Sequence, residues 1–308
     1  MAYRDCSAAL IPAHNDAYTL RLCLAALAGP ACATGPAGAT AHGGATAHVD
    51  EVIVLDDCST DETSDVVLDN VSNFENLRLI RHEGLQLGWV CARRELLRAC
   101  TARHVFMLDA DDVLSDLHAG MLRNIAAHGD SAPWVRLQLC ELFGDLRHST
   151  LRFHHYDACH VYVDRRWAPD MTWDNADRPG GLPAGSHALG SAGPLFFHLK
   201  DVKPDARLVE RSFFRKWLAA GRAAGNSSDF AGLDRMTAAE AHRRAVEFLT
   251  TSKIDHPVRA WDDDGGPLPL HERAPELPGL LRAAPQRFRF VYDSAGHIVD
   301  RTDDEALL

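Results

Sequence analysis

The sequence lacks several patterns that would place it in other classes of protein. None of its eight cysteines forms a Cys-x-x-Cys pair, which disfavours a zinc ribbon or a thioredoxin-type redox motif. No Gly-x-Gly-x-x-Gly follows an apolar run, so a dinucleotide-dependent dehydrogenase is disfavoured. Basic residues number 32 against 43 acidic ones, and the net charge of −11 argues against a nucleic-acid partner.

Long apolar runs are also missing. No stretch approaches the roughly 18 apolar residues of a membrane-spanning helix. The first residues, MAYRDCSAALIP, lack the basic start and apolar run of a signal peptide. Most cysteines lie in apolar segments, which is typical of reduced, buried thiols. We therefore expect a soluble cytoplasmic protein without a transmembrane segment.

Short apolar runs alternate with segments of helical spacing in the first part of the chain. Strands are predicted over residues 7–12, 51–55, 77–81 and 104–108, and helices over 16–28, 59–70, 90–102 and 115–127. Strand and helix in alternation predict an α/β fold, with a mostly parallel, Rossmann-like sheet flanked by helices.

The rest of the chain is predicted in less detail. Residues 29–48, rich in Gly, Ala and Thr, are expected to form a flexible insertion, so that His42 and His48 are not expected to bind a metal. Strand-like runs at 134–143, 150–155, 160–163 and 194–199 lead to helices over 207–221 and 237–251. The predicted domains are 1–204, then 205–254 as packed C-terminal helices, and 255–308 as an irregular tail.

Polar clusters follow three of the predicted strands. They are Pro12–Asp16, Asp56–Ser59 and Asp109–Asp112. Since parallel strands bring their carboxyl ends to one edge of the sheet, five or six carboxylates should converge there and repel one another. A divalent cation would relieve that repulsion, and Asp-x-Asp offers two carboxylates to one hard cation. The pattern predicts Mn²⁺ or Mg²⁺ at Asp109 and Asp111, bridging to a diphosphate.

The segments IPAHND, VLDDCSTDET, LGWVCARREL and FMLDADDVL, in this order, resemble the motifs of family 2 glycosyltransferases of the GT-A fold. The resemblance covers about residues 7–114. It implies a hexosyltransferase-like enzyme that moves a sugar from a nucleoside diphosphate sugar, in the first place a UDP-sugar, to a hydroxyl group. The acceptor would be a saccharide, a lipid-linked sugar or a small molecule, and inversion is favoured. One position departs from the pattern, because Arg94 stands where the family has Asn.

The resemblance also implies roles for individual residues. Late histidines bind the metal in glucosyl-phosphoglycerate synthases, and PLFFHLKDVK is similar to such a segment. The metal ligands implied are Asp109, Asp111 and His198. The donor-binding residues implied are Pro12, Ala13, His14, Asp16, Asp56, Asp57, Gly88, Arg93, Asp109 and Ala110.

The catalytic base is the least defined role. The family's inverting members often carry it in a Glu-Asp pair, and the chain has none. Asp174 is favoured because Trp167 and Trp173 flank it and could stack on a sugar. The alternatives left open are Asp164, Asp201 and Glu210, while Lys200 and Lys203 could contact the diphosphate or be solvated.

Other interpretations stay open at this stage. Asp57, Ser59 or Asp112 could cap a helix, and Arg93 could pair with Glu95 or Asp111 instead of a ligand. A non-catalytic nucleotide-sugar or carbohydrate-binding protein would share the fold. A sugar-phosphate nucleotidyltransferase is disfavoured, because IPAHND stands where those enzymes carry a Gly-rich basic loop.

Overall fold

The computed structural model describes most of the first half of the chain and separate stretches of the second. The described residues are 3–29, 47–115, 120–127, 134–137, 139–154, 160–169, 171–172, 187–188, 195–219, 236–251, 259–260, 278–295 and 297–307. They fall into two compact units, one of residues 1–140 and 153–197 and the other of 141–152 and 198–308. The domain limits predicted at residues 204 and 254 stay predictions.

Strands and helices alternate from the start of the chain. The strands are β1 (Arg4–Ala13), β2 (Glu51–Asp57), β3 (Leu77–His82), β4 (Ala102–Met107), β5 (Asp112–Leu114), β6 (Trp134–Arg136), β7 (Leu139–Gly144), β8 (His148–His154), β9 (Val161–Asp164), β10 (His187–Ala188), β11 (Phe196–Leu199), β12 (Arg259–Ala260), β13 (Phe288–Tyr292) and β14 (Ile298–Asp303). The helices are α1 (Ala17–Ala28), α2 (Thr63–Asp69), α3 (Gly88–Ala99), α4 (Met121–Ala127), α5 (Asp205–Ala219), α6 (Ala238–Thr251) and α7 (Gly279–Ala283). None of the described helices has the length and apolarity to cross a membrane.

A seven-stranded sheet forms the centre of the first unit. Its strand order is β10-β6-β9-β4-β1-β2-β3. β1 pairs in parallel with β2 and β4, β2 with β3, and β6 with β10, whereas β9 runs antiparallel to β4 and β6. The predicted α/β fold with a mostly parallel, helix-flanked sheet is confirmed.

The central strands are apolar because both of their faces are covered. Every residue of β2, from Glu51 to Asp57, is buried, as a parallel strand between two helical layers requires. In α1 the predicted stripe of Leu20, Leu24 and Leu27 is buried as well. Because β1, β2, β3 and β4 run parallel, the loops that follow them meet at the carboxyl edge of the sheet.

Two helix boundaries differ from the sequence prediction. Asp16 precedes α1 instead of lying in its first turn, and its carboxylate accepts a hydrogen bond from the His14 backbone N–H at 3.3 Å. The helix predicted over 115–127 is described over Met121–Ala127, whereas Ser115 follows β5 and is not helical, and residues 116–119 lie outside the described residues. Val113 and Leu114 are fully or nearly fully buried, and Ser115 N donates to Leu195 O at 2.9 Å, so this segment is extended.

The second unit contains all or part of four neighbouring strands, which pair in the order β12-β8-β7-β11. Helices α5 and α6 follow, and β13 and β14 form an antiparallel hairpin. Phe288 and Phe290 alternate with exposed residues along β13 and are buried, which gives the hairpin an apolar face. Part of the predicted irregular tail is thus regular, since α7 and this hairpin lie within it.

A buried arginine ties the hairpin to the start of α5. The Arg301 guanidinium is 1% exposed, donates to the Lys203 carbonyl oxygen at 2.6 Å and lies 3.2 Å from an Asp205 carboxylate oxygen. Its Cζ atom lies 4.9 Å from the Phe288 ring centroid, within the range of a cation–π contact. The C-terminal hairpin is therefore held by charged contacts as well as by its apolar face.

The start of β4 carries a titratable contact with a testable consequence. The His104 ring stacks on Tyr162, and Nδ1 lies 2.8 Å from the tyrosine hydroxyl. Burial, and then the Arg103 charge, lower the pKa of His104 below its ordinary value of 6.5. In the unfolded chain the histidine takes up a proton near pH 6.5, whereas in the folded chain it does so only at a lower pH. The free energy of unfolding should therefore fall as the pH drops below 6.5.

We expect the stability of the His104→Gln variant to depend less on pH below 6.5, because glutamine does not titrate. The measurement is the midpoint of urea unfolding between pH 7.5 and pH 5.5. His297→Gln is the matched control, since His297 lies in the exposed turn of the hairpin, and should not flatten it. An equal slope in the wild type and in His104→Gln would contradict the assignment.

Candidate active site

The sheet register brings the three polar clusters together at one edge. Ala13 at the end of β1 pairs with Asp56 at the end of β2. On the other side of β1, Leu10 pairs with Met107, so that Leu108 N donates to Leu10 O at 3.1 Å and Asp109 follows. The convergence that the sequence predicts is confirmed.

The first two loops are joined by hydrogen bonds through Asn15. This residue has a positive φ of 51°, which asparagine tolerates better than most side chains. Its Oδ1 accepts from Thr60 N at 2.7 Å, and its backbone N–H donates to Ser59 Oγ at 2.9 Å. Ser59 therefore bridges the loops, and the prediction that Ser59 caps the second helix is wrong.

The Asp61 carboxylate caps the N-termini of two helices. One carboxylate oxygen accepts from Thr63 N at 3.0 Å, in the first turn of α2, and the other accepts from Ala17 N at 3.1 Å, at the start of α1. A carboxylate at a helix N-terminus satisfies N–H groups that lack partners within the helix. This shared cap fixes the two helix starts against each other below the loops.

His14 lies between the first two loops. Its Nδ1 is 2.7 Å from the Asp57 carbonyl oxygen, and its Nε2 is 3.2 Å from the Asn15 side-chain nitrogen. Since a carbonyl oxygen only accepts, the proton is on Nδ1, and Nε2 accepts from the amide. The structure thus orients the imidazole at the predicted donor edge.

The two aspartates at the end of β2 have separate local roles. Asp56 accepts from Ser59 N at 2.9 Å and from the Ser64 hydroxyl. Asp57 accepts from Leu87 N at 2.7 Å and from Gly88 N at 2.9 Å, which places its carboxylate at the start of α3. Asp57 caps a helix, as one interpretation of the sequence held, but it is the third helix. Gly88 has a φ of 73°, which glycine adopts without strain.

A buried ion pair lies below the third loop. Arg93 Nη2 is 2.5 Å from Asp109 Oδ1, and the arginine side chain is 0% exposed. The guanidinium also lies under the Trp89 ring, with Cζ 4.9 Å from the centroid. Arg93 is thus paired with Asp109, a partner that the sequence alternatives did not include. The arginine neutralises a carboxylate that would otherwise be buried alone.

His160 is a member of this cluster that the sequence analysis missed. Its Nε2 lies 2.8 Å from Asp112 Oδ2 and 3.6 Å from Asp109 Oδ2. It precedes β9, whose Val161 pairs with Met107 of β4, and this antiparallel return places it beside the third loop. The only sequence signal was a histidine directly before a short strand, and no local pattern reveals an antiparallel partner.

Asp112 closes the third loop. Its Oδ2 accepts from Asp109 N at 2.7 Å, and its own backbone N–H donates to Asp109 O at 3.1 Å. The sequence allowed Asp112 to cap the following helix, but Asp112 begins a strand and binds the loop instead. This turn fixes the spacing of Asp109, Ala110 and Asp111, of which Ala110 and Asp111 are also buried.

Burial makes the cluster electrostatically costly without a cation. It raises the pKa of Asp109, although Arg93 and His160 act in the opposite direction, and Asp112 and Asp111 raise it further. Below the loop, burial and the same aspartates raise the pKa of the Cys23 thiol well above its ordinary range. A positive charge at the loop would offset this repulsion.

The residues fit a divalent cation. Ligand atoms of Asp109, Asp112 and His160 lie within 4.8 Å of one another. Carboxylate oxygens are the ligands that Mg²⁺ and Mn²⁺ prefer. Of the predicted ligands in the third loop, Asp109 is a member of this group, whereas the ligand role of Asp111 stays a prediction.

Of the other predicted residues, some lie in the described strands and some lie outside the described residues. Pro12 and Ala13 end β1, at the edge described above. Asp174 and Trp173 lie outside the described residues, as does His42. His198 is a buried residue of β11 and belongs to the second unit, where Lys200 Nζ forms a buried ion pair with Glu141 at 2.6 Å.

Of the alternatives for the base, Asp164 is placed unfavourably. It pairs in register with His104, at the start of β4, whereas Asp109 follows the end of that strand. Its carboxylate is fully buried and binds Arg103 at 2.9 Å and Arg166 at 2.7 Å. In the second unit, Asp201 accepts from Gly144 N at 3.2 Å and Glu210 pairs with Arg207 at 2.5 Å.

Known proteins resemble the chain to different degrees. The sequence profile described as "Glycosyl transferase family 2" matches residues 8–174, more than half of the 308 residues. No curated protein sequence matches the chain. The solved structure of residues 1–349 of S. aureus TarS is 14% identical, with a TM-score of 0.44, and the match covers 79% of this chain and 70% of that one.

A second solved structure is a complex of glucosyl-3-phosphoglycerate synthase from Mycobacterium tuberculosis with Mn²⁺, UDP and glucosyl-3-phosphoglycerate. It is 16% identical, with a TM-score of 0.35, and the match covers 53% of this chain and 57% of that one. Similarities this weak carry no argument about function. The family profile covers more than half of the chain and spans all four of the sequence motifs. The chain therefore belongs to glycosyltransferase family 2 and is a glycosyltransferase.

Proposed function

We propose that the chain transfers a sugar from a nucleoside diphosphate sugar, in the first place a UDP-sugar, to an acceptor hydroxyl with Mn²⁺ or Mg²⁺. The observation that carries the proposal is the cluster of Asp109, Asp112 and His160, with Arg93 beneath it, at the carboxyl edge of the sheet. In open parallel sheets this edge is where ligands bind. A buried, acidic cluster there is suited to a cation and, through it, to a diphosphate.

The donor nucleoside is proposed to lie along the first two loops. Asp56 and Asp57 are held by backbone and hydroxyl donors, so their carbonyl and carboxylate oxygens keep fixed directions. His14 is oriented by the Asp57 carbonyl oxygen. Fixed polar groups select a ligand better than mobile ones, because less conformational entropy is lost on binding. The full proposed donor set is Pro12, Ala13, His14, Asp16, Asp56, Asp57, Gly88, Asp109 and Ala110, whereas Arg93, which the sequence also placed there, is fully buried against Asp109.

The third loop is proposed to hold the cation through Asp109 and Asp111. Asp112 and His160 offer further ligand atoms beside Asp109. Arg93 is a positioning residue in this proposal, because its guanidinium holds the Asp109 carboxylate. When bound, the cation supplies charge neutralisation for the departing nucleoside diphosphate. A ligand role for His198 stays a prediction, as do the roles of Asp174 as base and Trp173 as a sugar contact.

The acceptor hydroxyl is proposed to attack the anomeric carbon as the bond to the diphosphate breaks. A carboxylate that takes the hydroxyl proton on the side opposite the leaving group would give inversion, which is the favoured course. The acceptor class stays open among saccharides, lipid-linked sugars and small molecules. A cytoplasmic location also stays a prediction, supported by the free thiols of the described cysteines.

Removal of divalent metal should abolish donor turnover. The assay measures release of nucleoside diphosphate from UDP-glucose, UDP-N-acetylglucosamine and GDP-mannose, with and without a chelator. We expect release from at least one donor, loss of that release with the chelator and recovery with excess Mn²⁺ or Mg²⁺. Turnover that persists unchanged in the metal-free protein would contradict the proposed metal role.

A further inference from the structure

A second group of metal-ligand side chains lies beside the donor edge. Asp57 and Cys58 stand at the end of β2, and Asp57 pairs in register with His82 at the end of β3. Ligand atoms of these three residues lie within 4.8 Å of one another. Carboxylate, thiol and imidazole at this spacing can reach one tetrahedral ion with small adjustments of the side chains.

Cys58 adopts a backbone conformation that favours glycine. Its φ is 62°, in the left-handed region, where a side chain clashes with the backbone and glycine does not. The thiol donates to the His82 carbonyl oxygen at 3.2 Å and is half-buried. The side chain is therefore held against His82 at a position where glycine would be less strained.

His82 is already in the tautomer that a metal ligand needs. Its Nε2 lies 2.9 Å from the Leu85 carbonyl oxygen, which only accepts, so the proton is on Nε2. Nδ1 then carries the lone pair that can bind a cation. Metal-binding histidines commonly donate their second ring N–H to a carbonyl or carboxylate oxygen, which fixes the ring in this way.

Asp57 supplies an oriented carboxylate. Each of its oxygens accepts one backbone N–H, from Leu87 at 2.7 Å and from Gly88 at 2.9 Å. A carboxylate oxygen has two acceptor positions, so each oxygen retains one. The carboxylate can thus bind a cation without giving up the hydrogen bonds that cap α3.

The surroundings of the thiol are negatively charged. The carboxylates of Asp57, Asp56 and Glu83 lie close enough to Cys58 to act on it electrostatically. The same negative charges attract a cation. A cation that binds the sulfur displaces its proton to solvent, and soft thiolate with imidazole selects Zn²⁺ or Cd²⁺ over Mg²⁺ and Mn²⁺.

We propose that Asp57, Cys58 and His82 bind one thiophilic divalent cation, Zn²⁺ in the first place, with water in the fourth position. This site is separate from the Asp109 loop. Because Asp57 belongs to the proposed donor set, an ion bound here should also weaken donor binding. That second statement rests on the proposed function, whereas the binding of Zn²⁺ does not.

The direct test is Cd²⁺ binding, read by the ultraviolet charge-transfer absorption of cadmium–thiolate, together with calorimetry of Zn²⁺ binding to the chelator-treated chain without any donor. We expect one site that Cys58→Gly removes and that His82→Gln weakens by at least about 100-fold. Cys91→Ser is the matched control, because Cys91 is exposed on α3, and should bind as the wild type does.

The Cys58→Gly variant is expected to fold, so its loss of metal binding can be interpreted even if other variants fold poorly. Glycine adopts a φ of 62° without strain, so this variant should unfold at a temperature no lower than the wild type. A cadmium–thiolate band that survives in Cys58→Gly, or Zn²⁺ affinity unchanged by both variants, would overturn the proposal. So would a wild type that binds no Zn²⁺ at micromolar concentration.

Donor kinetics then separate this proposal from the proposed function. Zn²⁺ should raise the donor KM of the wild type and leave that of Cys58→Gly unchanged, in the presence of excess Mn²⁺. Cys58-dependent Zn²⁺ binding in a chain that turns over no donor would retain the site and reject the proposed function. Donor turnover without Cys58-dependent Zn²⁺ binding would retain the proposed function and reject the Zn²⁺ site.

Discussion

Replacing Arg93 with alanine should lower the free energy of unfolding by about 3–5 kcal/mol, the range for one partner removed from a buried ion pair. The arginine is 0% exposed and lies 2.5 Å from Asp109 Oδ1. Without it the Asp109 carboxylate stays buried beside Asp111 and Asp112, whose charges already raise its pKa. The variant also loses the packing of the guanidinium under Trp89. Urea unfolding followed by circular dichroism measures the change.

Arg98→Ala is the matched control for this experiment. Arg98 lies on the same helix and pairs with Glu95, but its side chain is 71% exposed. Exposed pairs contribute about 0–1 kcal/mol, so this variant should be close to the wild type. The double variant Arg93→Met with Asp109→Asn should recover part of the loss, because it leaves no unpaired charge. An Arg93→Ala variant as stable as Arg98→Ala would contradict the described ion pair.

Replacing Asp111 with asparagine should lower the rate of donor turnover by about 10²- to 10³-fold, because a metal ligand contributes several kcal/mol of transition-state stabilisation. Asparagine keeps the shape of the side chain and removes its charge. Excess Mn²⁺ should restore part of the rate if binding of the cation is the step affected. Initial rates over a Mn²⁺ titration, on protein shown to be folded, measure both effects.

Asp69→Asn serves as the control for charge alone. Asp69 is exposed at the end of α2, so its removal changes the net charge by the same amount and should leave turnover within about two-fold of the wild type. Equal rates for Asp111→Asn and Asp69→Asn would show that Asp111 is not a ligand. The cation would then have to be held by Asp109 and Asp112 with His160.

The sequence was a good guide where local pattern decides structure. The apolar run at residues 51–55 predicts a covered parallel strand, and β2 is buried throughout. The polar clusters after β1, β2 and β4 were predicted to meet, because parallel register alone brings their ends to one edge. These inferences need only periodicity and strand direction.

The sequence predicted less well those residues whose structure depends on tertiary contacts. His160 reaches the third loop only through the antiparallel pairing of β9 with β4, which no local pattern encodes. Ser59 has the residue type of a helix cap but binds Asn15 across the loops. Ser115 was predicted to begin a helix, yet it follows β5 and its backbone N–H donates to Leu195 O. In each case a partner distant in sequence overrides the local preference.

The central proposal is that the carboxyl edge of the sheet binds a nucleoside diphosphate sugar together with a divalent cation. The most direct measurement is the thermal unfolding midpoint with and without UDP-sugars and GDP-sugars, each in the presence and absence of Mn²⁺. Ligand at 100 times its Kd stabilises the folded state by about 2.7 kcal/mol, so the midpoint should rise for at least one donor and only when Mn²⁺ is present. No rise with any of these donors, with or without Mn²⁺, would contradict the claim.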